Sequence, residues 1–97
     1  MDIKHEVLQS WERRASRARD KVEELKIDLA YQSYELEITQ RVLAKAQNDS
    51  ERETWQIQVD VLSMIVGQTE EEIEKEAEDI ALCAAMLAEL EADLAAG

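Results

Sequence analysis

Residues 67–80, GQTEEEIEKEAEDI, hold seven acidic side chains and one lysine, and open on one of the two glycines in the chain. Read as a break, Gly67 ends one helix and Thr69 with Glu72 caps the next, which makes a three-helix bundle. Read as helix interior, the same stretch puts Thr69, Ile73, Glu76 and Ile80 on one face and leaves the other acids outside. The flanking residues choose between the two. From Trp55 the chain runs Trp55, Val59, Leu62, Val66, Thr69, Ile73, Glu76, Ile80, Cys83, Leu87, Leu90, Leu94, in alternating steps of four and three. The phase does not slip at Gly67, whereas nothing would hold two separate helices to one heptad count. A glycine inside a helix costs about 1 kcal/mol relative to alanine, which a packed helix tolerates. The spacing therefore predicts one helix over about 50–95, with the three-helix bundle broken at Gly67 as the alternative.

The first half carries the same rhythm: Leu8, Trp11, Ala15, Ala18, Val22, Leu25, Leu29, Gln32, Leu36, Thr39, Leu43, Ala46. It reads as one helix over about 2–47. Asn48, Asp49 and Ser50 then supply turn and cap chemistry, and Ser50 with Glu53 forms a capping box that places the turn at 48–50. A connection this short requires the helices to run antiparallel. Folding there aligns seam residues whose numbers add to 98, such as Ala15 with Cys83 and Leu36 with Leu62. The expected fold is all-α: a single helical domain over 1–97, an antiparallel helical hairpin of two long helices with a coiled-coil-like seam. Dimerisation would make it a four-helix bundle.

Composition agrees. The chain has 97 residues, no proline and no phenylalanine, and its wealth of alanine, leucine and charged residues belongs to long helices rather than sheets. Charge is divided unevenly. Residues 1–47 carry nine acidic and nine basic side chains, while residues 48–97 carry fourteen acidic against only Arg52 and Lys75, so the whole net charge of −12 lies in the second half. Such a field repels nucleic-acid backbones and anionic membranes and attracts basic proteins. The basic cluster Arg13, Arg14, Arg17, Arg19 and Lys21 is expected to face Glu76, Glu78 and Asp79 across the hairpin in ion pairs, rather than bind nucleic acid.

Little in the chain suggests catalysis. His5 is the one histidine and sits near the start; Cys83 falls on the seam as a small apolar residue with no histidine placed to activate it. No glycine-rich phosphate loop, zinc-ligand pair or Glu-x-x-His pair occurs, and the run of glutamates lacks the bent, alternating ligand pattern of a calcium loop. No enzyme activity, cofactor or metal is expected. No stretch reads as a leader or a membrane span, which gives a cytoplasmic protein as the expectation.

Two candidate surfaces remain. The first is acidic: Glu70, Glu71, Glu74, Glu78, Asp79, Glu89 and Asp93, spaced along the second helix as a surface for a basic protein partner. The second is apolar and lies near the turn: Ile27, Tyr31, Tyr34, Ile38 and Val42 on the first helix, Ile57, Val61, Met64 and Ile65 on the second. A contiguous exposed patch of this size calls for a second copy of the chain, a third helix or a docked protein. In size, acidity and helicity the chain resembles the class of phage-encoded inhibitors that includes anti-CRISPR proteins and nucleic-acid mimics; no motif carries the resemblance. It implies an inhibitor that occupies the nucleic-acid-binding surface of a partner, acting in the host cytoplasm, without touching nucleic acid or membrane itself. The alternative is a homodimeric coiled-coil scaffold or adaptor whose acidity serves solubility.

Overall fold

A computed structural model describes residues 2–97. Two helices form an antiparallel hairpin: α1 over Ile3–Ala44 and α2 over Asp49–Ala96. α2 passes through Gly67 without interruption, and no described residue has a positive φ. The three-helix alternative is thereby excluded. Thr69, its prospective cap, sits 7 % exposed inside the helix. Its hydroxyl lies 2.8 Å from Gln32 Oε1 and 3.1 Å from the Ile65 carbonyl, one turn back along α2.

Side-chain acceptors fix both helix starts. Asp2 accepts the His5 backbone N–H on Oδ1 at 3.3 Å, and its carbonyl takes the first α-helical bond from Glu6. At α2 the capping residue is Asn48, two positions earlier than the expected Ser50. The Glu51 N–H donates to Asn48 Oδ1 at 2.9 Å, and Glu51 Oε2 reaches back to the Gln47 N–H at 3.0 Å. The two bonds make a capping arrangement like the one expected of Ser50 and Glu53. Asparagine caps at least as well as serine, and once Asn48 holds the end, Ser50 becomes helical and its carbonyl accepts the Thr54 hydroxyl. α1 closes with tightened bonds, Lys45 N–H to Val42 and Ala46 N–H to Leu43, which satisfy carbonyls that an α-helix leaves open.

The chain divides into two compact units, one of Met1–Glu24 with Ile73–Gly97 and one of Leu25–Glu72. The first buries a seam of small residues: Ala15 is 2 %, Ala18 4 % and Cys83 0 % exposed. Leu8, Trp11, Val22, Ile73, Ile80, Leu87, Leu90 and Leu94 are half-buried along the same line. Small residues at facing positions let the helix backbones approach closely there. Glu76 lies half-buried in this seam. The exposed alanines of this unit, Ala81, Ala84, Ala85, Ala88 and Ala92, serve helix propensity on a solvated face.

The second unit buries Leu25, Thr39, Val59 and Thr69, with Leu29, Gln32, Leu36, Leu43, Leu62 and Val66 half-buried around them. Its polar seam residues are satisfied. Thr39 donates to the Glu35 carbonyl at 2.7 Å, and Gln32 meets Thr69 from the other helix. Trp55 is the exception to the seam, 36 % exposed. Its expected neighbour Leu43 stands at the last turn of α1, which stops at Ala44, so no further helix continues past it to cover the indole.

Candidate protein-interaction surfaces

The expected acidic surface divides into carboxylates already paired and carboxylates facing water. Arg14 grips Asp79 through two contacts, Nε to Oδ2 at 3.1 Å and a second from Nη2 to Oδ1. Its guanidinium also stacks over Trp11, 4.8 Å from the ring centroid, which presets the fork that a carboxylate accepts. The hydrogen bond from Arg14 holds the Asp79 carboxyl below the ordinary aspartate range, and raises the Arg14 pKa in return. Asp93 binds Lys4 Nζ at 3.0 Å. Both pairs join α1 to α2 within the first unit, beside the buried seam. Of the basic cluster around residues 13–21, Arg14 thus makes the cross-helix pair expected from the sequence. Asp79 and Asp93, two members of the expected acidic surface, are engaged by Arg14 and Lys4 of α1.

Glu70, Glu71, Glu74, Glu78 and Glu89 are exposed. Among the described residues, no hydrogen bond or ion pair engages any of these five. Glu70, Glu71 and Glu74 belong to consecutive turns of α2, so their charges sum over a short length of helix. At the other end of the chain Asp2 has its pKa lowered, first by its hydrogen bond to the His5 side chain. That pair caps α1 and offers no cleft. Among the described residues no three His, Cys, Asp or Glu side chains come together to hold a metal ion. Cys83 is a free thiol with no exposed surface.

The apolar surface lies wholly in the unit of residues 25–72, and its most open members are Ile27 at 70 %, Tyr31 at 73 % and Tyr34 at 64 %. Ile57, Met64 and Val61 are also exposed, whereas Ile38, Val42 and Ile65 are half-buried. Heptad position explains the grading. With the seam at a and d, Val42 and Ile65 occupy g, flanking the seam, and Ile38, Val61 and Tyr31 occupy c beside them. In an antiparallel pair the g flanks of the two helices lie on one side, so these five residues share a face. Ile27, Tyr34, Ile57 and Met64 occupy f, on the outward back of each helix. The single patch expected from the sequence is therefore one flank shared by both helices plus two outward ridges. Tyr31, Tyr34, Glu35, Ile38 and Thr39 line a shallow depression of about 310 Å³ on α1.

No helix among the described residues is long and apolar enough to cross a membrane. No protein-family model, curated protein or solved structure matches the chain.

Proposed function

We propose that this chain is a non-enzymatic protein-interaction module that presents the outward carboxylates of α2 to a basic surface on a partner protein. The observation that carries the proposal is the division of the acids. Asp79 and Asp93 are paired with Arg14 and Lys4, while Glu70, Glu71, Glu74, Glu78 and Glu89 stay exposed along α2. Rigidly spaced negative charges compete with a phosphate backbone for arginine and lysine side chains, and attraction of this kind steers association and selects partners. The function that follows is inhibition of a nucleic-acid-binding protein, in the manner of anti-CRISPR proteins or nucleic-acid mimics of phage, in the cytoplasm of the host. Capture on the immobilised protein in low salt and in about 0.5 M salt tests it, because the screening length falls to a few ångströms at that strength. A nucleic-acid-binding protein recovered in low salt and lost in high salt supports the reading; a partner held equally in both contradicts it.

A second reading rests on a different observation, the exposed apolar residues of α1 and α2 near the turn. Exposed isoleucines and tyrosines at helical spacing are the marks of a self-associating helix face. On this reading the chain is a homodimeric coiled-coil scaffold. The solution mass, set against the 11.1 kDa of one chain, distinguishes dimer from monomer. The two readings are compatible, since they use different residues.

A further inference from the structure

We propose that the face of α1 formed by its c and f positions, where the outward ridge meets the shared flank, takes a second copy of this chain, antiparallel, about a two-fold axis passing between Tyr31 and Tyr34. This rests on the self-association reading and specifies which face is used and in what register. Along α1 the c and f positions read Asp20, Glu24, Ile27, Tyr31, Tyr34, Ile38, Arg41, with Lys45 one residue past the helix end. The series is two acids, four apolar residues and two bases. An isologous interface must match itself when the helix is reversed, and this one does. Reversal about the midpoint of Tyr31 and Tyr34 sets Ile27 against Ile38 of the second copy and Tyr31 against its Tyr34. It also sets Glu24 against Arg41 and Asp20 against Lys45, so each of the four charges on the c and f positions meets its opposite, while the acids flanking them, Asp28 and Glu37, meet each other.

Other arrangements fail on the same residues. A parallel pairing sets Asp20 and Glu24 against themselves and Arg41 and Lys45 against themselves. A slip of one heptad in the antiparallel arrangement brings Ile27 against Lys45, or Ile38 against Asp20. The corresponding c and f positions of α2 have no such symmetry: reversal about the midpoint of Val61 and Met64 sets Ile57 against Gln68, and reversal about that of Ile57 and Val61 sets Met64 against Thr54. Exposure fits the requirement: Ile27, Tyr31 and Tyr34 are each more than half open, and all four charged residues are exposed. Arg41 also reaches Glu37 on its own helix at 2.6 Å, but that contact is itself exposed, and a guanidinium has five donors to share. The two tyrosines offer roughly 250 Å² and the two isoleucines roughly 150 Å² more. That is about half of the ~800 Å² per partner in a standard interface, and the charged ends supply the remainder as its rim. A small interface of this make-up comes apart at protein concentrations at which an obligate dimer stays intact, and depends on its charged ends for register.

Charge reversal tests the arrangement. Asp20→Lys with Glu24→Arg makes both ends basic; Arg41→Glu with Lys45→Asp makes both ends acidic. Each variant should self-associate at least about tenfold more weakly than the parent, since like charges oppose at both ends. An equimolar mixture should recover the parental affinity, because all four cross-pairs are then restored. Sedimentation equilibrium reads all three samples, and circular dichroism checks that the exposed substitutions leave the helices formed. A parent that stays monomeric at every concentration overturns the self-association reading itself. A dimeric parent whose two variants dimerise as strongly as it does overturns this face and leaves that reading standing on another. Variants that separate but do not recombine on mixing overturn the antiparallel register.

Discussion

Replacing Gly67 with alanine is expected to stabilise the protein, and the sign of the effect separates the two folds that the sequence allows. Gly67 lies inside α2 with a negative φ, on the exposed side of the helix. A Cβ built there meets nothing within 4 Å. The substitution therefore adds no strain and no clash, and two effects remain. The helix propensity difference between glycine and alanine is about 0.8–1.0 kcal/mol. The loss of glycine's freedom in the unfolded chain is the larger part of that same difference, so the two are not added. A gain of about 1 kcal/mol raises the midpoint of a domain of this size by about 4–8 °C. Thermal unfolding followed by far-UV circular dichroism, with both proteins at one concentration so that any association contributes equally, measures it. Were Gly67 a helix terminator in the left-handed region, alanine would be strained there and the midpoint would fall. An unchanged or lowered midpoint refutes the continuous helix.

The polar layer in the seam of the second unit gives another prediction. Gln32→Leu combined with Thr69→Val should leave the protein at least as stable as the parent, because both partners of the 2.8 Å bond are removed together, whereas Thr69→Val alone, which leaves the half-buried Gln32 amide without its cross-helix partner, should cost about 1 kcal/mol by denaturant unfolding. Stability should also depend on pH through Asp79. Its carboxyl is held below the unfolded value by Arg14, so the contribution is complete above about pH 4–5 and is lost as pH falls through the folded pKa. The difference in midpoint between the parent and Asp79→Asn should be present at neutral pH and close in acid; a difference that persists below pH ~2 contradicts the pairing.

The seam was legible because burial on one side of a supercoiled pair demands a period of 3.5, and both halves of the chain keep it from Leu8 to Leu94. Each seam residue is buried or half-buried except Trp55, and the reason for that exception is the length of α1, which period alone does not fix. The helix start was harder to read. Asn48, Asp49 and Ser50 are all capping residues, and Glu51 and Glu53 offer two spacings of three, so composition leaves the choice of cap to the geometry of the turn. Pairing of Gln32 with Thr69 carried a signal in the sequence, two polar residues interrupting facing stretches of one seam. The roles of Asp79 and Asp93 carried less. Separating them from Glu74 and Glu78, at b and f, requires knowing that Asp79 and Asp93 fall at g, one of the two flanks of α2 that border α1. The apolar residues near the turn were visible as a group, while their division into a shared flank and two outward ridges follows from the antiparallel direction of the helices.

The proposed function depends on the outward carboxylates at the middle of α2, and one variant addresses it directly. Glu70→Lys, Glu71→Lys and Glu74→Lys together reverse three exposed charges without touching the seam or the Arg14–Asp79 and Lys4–Asp93 pairs. Partner capture by this variant should be compared with capture by the parent, after circular dichroism has shown equal helicity. The account predicts that the basic protein recovered by the parent is absent from the variant. Recovery of the same protein in equal amount by both would contradict it.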